Sequence, residues 1–136
     1  MRTLWRQFWR FGLSGIAGLG MDVGVLYLAL ALGANFFVGR GLSFLAAVWL
    51  TWQINRRYTF HATRAAPADS PESLWREWWR YLLAMLGGGA VNYAASCAAV
   101  LLLPARPWLP MAAVCVGSLA GMLINFTSAK LLVFKR

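Results

Sequence analysis

Four apolar stretches, at residues 11–32, 36–54, 81–103 and 109–134, constrain this 136-residue chain more than any other feature. Each approaches or exceeds the ~20 residues with which a helix crosses a hydrocarbon core. The first holds 22 residues, which at about 1.5 Å each makes a helix of roughly 33 Å. Gly33-Ala34-Asn35 separates the first pair, and Pro104, Pro107 and Pro110 punctuate the second; both suit helix ends. Only 12% of the residues are charged and 60% are hydrophobic, whereas a soluble domain carries about 25% charged residues. The reading is a single all-α membrane domain with four transmembrane helices. The first run is too long for the apolar core of a signal peptide and is followed by no small-residue cleavage site, so it is expected to remain as the first span.

An eight-residue pattern occurs twice, each time ahead of an apolar run. Leu4-Trp5-Arg6-Gln7-Phe8-Trp9-Arg10-Phe11 is matched by Leu74-Trp75-Arg76-Glu77-Trp78-Trp79-Arg80-Tyr81. Five positions are identical and the other three exchange like for like. With an offset of 70, Arg10 aligns with Arg80 and Asp22 with Asn92; after the proline-rich loop the offset becomes 74, aligning Thr51-Trp52 with Asn125-Phe126, Arg56 with Lys130 and Phe60 with Phe134. The chain reads as two tandem repeats, 4–60 and 74–134, joined by a 55–80 connection. Each repeat contributes two helices, so both enter the bilayer from the same side, as a parallel repeat about an axis along the membrane normal.

The net charge of +9 invites a nucleic-acid reading, but its distribution excludes one. Arg2, Arg6 and Arg10 precede the first span; Arg56, Arg57, Arg64, Arg76 and Arg80 lie between the second and third; Lys130, Lys135 and Arg136 end the chain. The other two connections hold only Arg40 and Arg106. This is the positive-inside asymmetry, and it places both termini and the central loop in the cytoplasm.

Asp22 falls near the middle of the first span, where an ionised carboxylate costs about 2.5–3.5 kcal/mol. Its helical neighbours include Gly15, Gly18 and Ala29, a small-residue face that admits another helix closely. Asp22 is therefore expected to point at protein or a wet cavity. Asn92 and Asn125 sit on similar faces. They line a hydrophilic path or, as the alternative, join helices by hydrogen bonds. Trp5, Trp9, Trp75 and Trp79 recur at i, i+4 among arginines, which describes short amphipathic interfacial helices before the first and third spans. Arg10 and Arg80, with Arg56 and Lys130 at matching ends of the other helices, form a candidate ring for a lipid phosphate, a task suited to the guanidinium fork; anchoring is the alternative.

No metal-ligand cluster, nucleotide loop, nucleophile elbow or paired carboxylate occurs, so no cofactor, metal or enzymatic activity is expected. His61 reads as a solvated loop residue. Cys97 and Cys115 read as buried free thiols, a disulfide being the alternative.

Arg10-Phe11, Gly15 and Asp22 of the first span and the closing Asn55-Arg56-Arg57-Tyr58-Thr59-Phe60, with Arg80-Tyr81, Asn125-Phe126 and Lys130-Leu131-Leu132-Val133-Phe134 in the second half, resemble the GtrA-like family of small four-span bacterial membrane proteins. The first copy departs at Thr51-Trp52 and the second at Ala129-Lys130. The resemblance covers nearly the whole chain. It implies a flippase that moves a polyprenyl-phosphate-linked monosaccharide from the cytoplasmic to the outer leaflet of the inner membrane for cell-surface polysaccharide synthesis, alongside glycosyltransferase partners. On that reading Arg10, Arg80, Arg56 and Lys130 meet the phosphate, and Asp22, Asn92, Asn125 and Asn55 line the sugar path. Asp22 would repel a phosphate, so it should contact the sugar or pair with a basic residue. Two rivals stand beside it: a scaffold that recruits a glycosyltransferase, and a small proton-coupled exporter of cations. Four helices are few to enclose a polar headgroup, so a homo-oligomer, most simply a dimer, is expected.

Overall fold

The computed structural model describes residues 2–60 and 70–133. His61, Arg64, Phe134, Lys135 and Arg136, on which some of the sequence readings fall, lie outside them. The described residues form four helices: α1 (Arg2–Ala31), α2 (Phe36–Ile54), α3 (Pro71–Leu102) and α4 (Leu109–Ser128). π-helical segments prolong α2 over Asn55–Thr59 and α4 over Ala129–Val133. These two segments stand 74 residues apart, the offset found in the sequence.

Local chemistry explains the ends. Gly33, at φ 94°, takes the left-handed conformation after α1. Its N–H donates to the Leu30 carbonyl, and that of Ala34 to the Ala29 carbonyl, the Schellman arrangement that satisfies the last carbonyls of a helix. Asn35 then caps α2 by accepting from the Val38 N–H. Ser70 caps α3 in a reciprocal box with Ser73, with Pro71 in the first turn.

The separate interfacial helices expected before the first and third spans do not occur. The Arg/Trp repeats are instead the opening turns of α1 and α3 themselves, of 30 and 32 residues. Nothing in either repeat breaks a helix, and continuing one keeps every backbone group bonded at the membrane surface. At about 1.5 Å per residue both exceed a ~30 Å hydrocarbon core, which leaves the Arg/Trp turns outside it. Residues 55–59 and 71–80, expected within the connection, are likewise helical.

Among the described residues three helices are, by length and apolarity, able to cross a membrane: α1, α3, and α4 with its π-helical extension. α2, which carries Arg40 and Gln53, falls short of the same measure. The chain is thus an all-helical membrane protein. α1 packs along α2 and α3 along α4, with lesser contacts between α1 and α4 and between α2 and α3. α3 and α4 approach so closely that a Cβ on Gly88 would collide with the Asn125 side chain and the Gly121 carbonyl. An aromatic core (Phe11, Trp52, Phe60, Tyr81 and Phe126) gathers at the end of the bundle that holds the start of α1. Leu13, Leu28, Leu83, Leu101 and Leu123 face outward, the surface that lipid requires.

Candidate functional site

Two cavities open into the bundle. The first, of about 490 Å³, lies at the end that holds the first turns of α1. Arg6, Arg10 and Arg57 line it, with Gln7, Ser14 and Thr59. α1 supplies Arg6 and Arg10 at i, i+4, and the π-helical turn after α2 supplies Arg57. Arg10 Nη1 donates to the Tyr58 carbonyl at 2.9 Å, which ties the two elements together.

The second cavity, of about 400 Å³, runs deeper and is lined by residues of all four helices, most of them from α1 and α4. Asp22, Asn55, Asn92 and Asn125 all line it, so the four residues read as a polar path border one space. The two cavities share one wall, at Ser14.

Asn55 stands at that junction and is fully buried. Its Oδ1 accepts from Ser14 Oγ at 2.7 Å and Thr59 Oγ1 at 2.8 Å, and its Nδ2 donates to the Tyr81 hydroxyl at 2.9 Å. Tyr81 donates onward to Thr51 Oγ1 at 3.3 Å. The web joins α1, α2, α3 and the first π-helical segment, and it fills most of the polar valences a buried amide offers.

Deeper in, Asp22 is 3% exposed and forms an ion pair with Arg40, which is fully buried, at 2.6 Å. Arg40 Nη1 also donates to Ser43 at 3.1 Å and Nη2 to Asn92 Oδ1 at 2.8 Å. Asn92 Nδ2 donates to Ser118 at 3.1 Å. One chain of polar contacts therefore crosses all four helices. Asn125 Oδ1 and Arg40 Nε have no hydrogen-bond partner among the described residues.

Arg40 is the residue that sequence reasoning misplaced, as part of an outer connection. The signal that could have found it is Asp22: a buried carboxylate needs a cation, and Arg40 is a basic residue inside a neighbouring helix. Arg6, Gln7 and Arg57 were also missed as cavity residues, although Arg6 and Gln7 belong to the repeated pattern.

The four cations expected as a phosphate ring do not converge. Of them only Arg10 lines the basic cavity. Arg80 Nη2 donates to the Leu132 carbonyl at 3.3 Å, the counterpart in the second repeat of Arg10 and Tyr58. Arg56 pairs with Glu77 at 3.0 Å and lies over the Trp52 ring at 5.1 Å. Lys130 Nζ donates to Gln7 Oε1 at 3.2 Å. Arg10 and Arg80 bond carbonyls of the π-helical segments, whereas Arg56 and Lys130 bond side chains of α3 and α1.

Trp5, Trp9, Trp75 and Trp79 are all exposed, paired edge to face as Trp5–Trp9 and Trp75–Trp79. Cys97 and Cys115 are free and half-buried. Among the described residues no group of three or more His, Cys, Asp or Glu is positioned to hold a metal ion.

A family model described as GtrA/DPMS, transmembrane domain, matches residues 10–134. No curated protein and no solved structure matches the chain.

Proposed function

Because this chain belongs to the GtrA/DPMS transmembrane-domain family, we propose that it moves a polyprenyl-phosphate-linked monosaccharide across the bacterial inner membrane, from the cytoplasmic to the outer leaflet, for cell-surface polysaccharide synthesis. One observation carries this reading: a cavity with three arginines shares a wall, at Ser14, with a largely apolar cavity that Asp22, Asn55, Asn92 and Asn125 also line. The first suits a phosphate and the second a sugar.

On this reading all four helices span the membrane as tandem repeats 4–60 and 74–134, with both termini cytoplasmic. α2 crosses despite Arg40 because Asp22 neutralises it inside the bundle. The tail stays in lipid while the headgroup crosses. Arg6, Arg10 and Arg57 capture the phosphate, which bidentate guanidinium contacts favour. Asn55, Asn92 and Asn125 offer hydrogen bonds to sugar hydroxyls along the way. Asp22, held as an ion pair, does not repel the phosphate as a lone charge would; it accepts from hydroxyls. No covalent bond changes, so the chain acts as a transporter rather than an enzyme. Glycosyltransferases supply and consume the lipid, and a homodimer gives the headgroup a fuller enclosure.

The test is leaflet transfer of a polyprenyl-phosphate monosaccharide in proteoliposomes. Bare polyprenyl phosphate and a lipophilic aromatic cation serve as comparison ligands. Transfer is expected, reduced several-fold in Arg6→Gln, Arg10→Gln and Arg57→Gln with membrane insertion intact. Absent transfer alongside retained glycosyltransferase recruitment makes the protein a scaffold. Preference for the cation, lost in Asp22→Asn, makes it an exporter.

A further inference from the structure

The two halves meet along two seams, α1 with α4 and α2 with α3, and each seam carries the same clasp built from repeat-equivalent residues. At the α2–α3 seam Arg56 Nε donates to Glu77 at 3.0 Å, and the Trp52 and Trp78 rings pack at 5.3 Å. At the α1–α4 seam Lys130 donates to Gln7 at 3.2 Å, and the Phe126 and Phe8 rings pack at 5.1 Å. The offsets of 70 and 74 map every member of one clasp onto the other.

The polar exchanges make the α1–α4 clasp the weaker, although Phe126 also packs edge to face on Phe11 of α1 at 5.3 Å. Glu77 offers a carboxylate where Gln7 offers an amide, so one seam holds an Arg–Glu pair and the other a hydrogen bond from Lys130 to an amide oxygen. Arg56 has a planar fork that also stacks over Trp52, which Lys130 lacks. Trp52 donates its indole N–H to Glu77 at 3.0 Å, and Phe126 has no such donor. The carboxylate of Glu77 is thereby held from two sides, while the amide of Gln7 is held from one.

The weaker seam is also the hollow one. The inner cavity opens outward between α1 and α4, where its lining residues Ile16 and Leu119 are 66% and 72% exposed. At the other seam Gly89 of α3 lies against the Phe44 ring with no room for a methyl group. At the far end Tyr27 of α1 donates to the Pro107 carbonyl at 2.6 Å, holding α1 to the loop before α4. The α1–α4 seam is tied there and loosely clasped at the basic end.

We propose that the α1–α4 seam parts at its basic end, hinged on the α2–α3 seam, and that a phosphate-bearing lipid headgroup enters the inner cavity between Gln7 and Lys130. Parting the clasp releases the Lys130 ammonium to meet the phosphate. The Phe8–Phe126 pair lies beside the clasp and moves with it. Gln7 is a positioning residue: it holds the seam shut without holding it fast. The entry role rests on the function proposed above; the inequality of the seams does not.

The test places spin labels at repeat-equivalent positions across each seam, in full-length protein in lipid nanodiscs. Leu4→Cys with Thr127→Cys spans the α1–α4 seam, and Leu74→Cys with Gln53→Cys spans the α2–α3 seam. Both are made with Cys97→Ser and Cys115→Ser. A broad or two-peaked distance distribution is expected across α1–α4, and a single narrow one across α2–α3. Gln7→Glu completes an ion pair with Lys130 and should collapse the broad distribution to its shorter component. Equal widths at both seams, or the greater width across α2–α3, overturn the proposal. Leaflet transfer of the lipid-linked sugar is then measured in otherwise native protein. Gln7→Glu should slow it several-fold, and Glu77→Gln much less. Unchanged transfer with a collapsed α1–α4 seam overturns the entry role. If the native protein transfers nothing, the functional reading fails instead, and the distance distributions still decide which seam parts.

Discussion

Replacing Asp22 by Asn removes one charge from a pair whose other member has no access to solvent. Arg40 is fully buried and Asp22 nearly so, at an N···O distance of 2.6 Å. Charges about 4 Å apart attract by about 4 kcal/mol at an effective dielectric constant of 20. Breaking such a pair by changing one partner typically costs about 3–5 kcal/mol, because the remaining charge stays buried and unpaired. Asp22→Asn and Arg40→Gln should each destabilise the protein by that amount, a large part of the ~5–15 kcal/mol that keeps a typical protein folded. The double variant leaves two neutral amides able to hydrogen-bond to each other. It should cost less than either single change, giving a coupling energy of several kcal/mol by double-mutant cycle. The assay is reversible unfolding in mixed micelles, followed by circular dichroism. Additive costs would refute the reasoning, since they would mean that neither charge feels the other. The same double variant separates stability from transport: it should fold yet transfer lipid-linked sugar poorly, having lost the carboxylate that faces the cavity.

Further outcomes follow from the rest of the structure. Asn55→Ala strips partners from the hydroxyls of Ser14, Thr59 and Tyr81 and should destabilise by roughly 2–4 kcal/mol at about 1 kcal/mol or more per hydrogen bond, seen in the same unfolding assay. Gly88→Ala drives a methyl group into the Asn125 side chain and the Gly121 carbonyl; a cost of about 1–3 kcal/mol is expected, with a loosened α3–α4 contact read by faster amide exchange on both helices. Glu77→Gln removes the charge opposite Arg56 in a pair only 12% and 14% exposed, so its cost should approach the ~3–5 kcal/mol of breaking a buried pair and change little with salt.

The turn between α1 and α2 was legible because single residues dictate it: Gly33 for the left-handed turn and Asn35 for the cap. The length of α1 and α3 was not. The change from Arg/Trp to apolar residues marks where the membrane begins, and composition cannot say whether the helix stops there. The π-helical segments were also hidden. They appear where Asn55 and Ala129 are wholly buried, a consequence of packing that no local pattern announces. Arg40 was missed because position in the sequence suggested a connection, whereas its long side chain lies wholly inside the bundle and reaches Asp22 on another helix.

The expectation that Arg10, Arg80, Arg56 and Lys130 act together shows where repeat reasoning needs the third dimension. Residues matched by the repeated sequence pattern take like positions on different helices, and so need not meet in space. Arg10 and Arg80 each bond a carbonyl of their own repeat's π-helical segment. Arg56 and Lys130 each reach across to the other repeat. What such an arrangement does bring together is a residue at one end of a repeat and its partner from the other repeat, and it does so twice. Those two pairings would be equal in a perfect duplication. Here they differ at Gln7 against Glu77, Phe8 against Trp78, Phe126 against Trp52 and Lys130 against Arg56, which leaves an ion pair at one seam and an ammonium–amide hydrogen bond at the other. The conservative exchanges within the repeated pattern, which look least informative when the copies are merely aligned, are therefore the positions at which the two seams come to differ in their contacts.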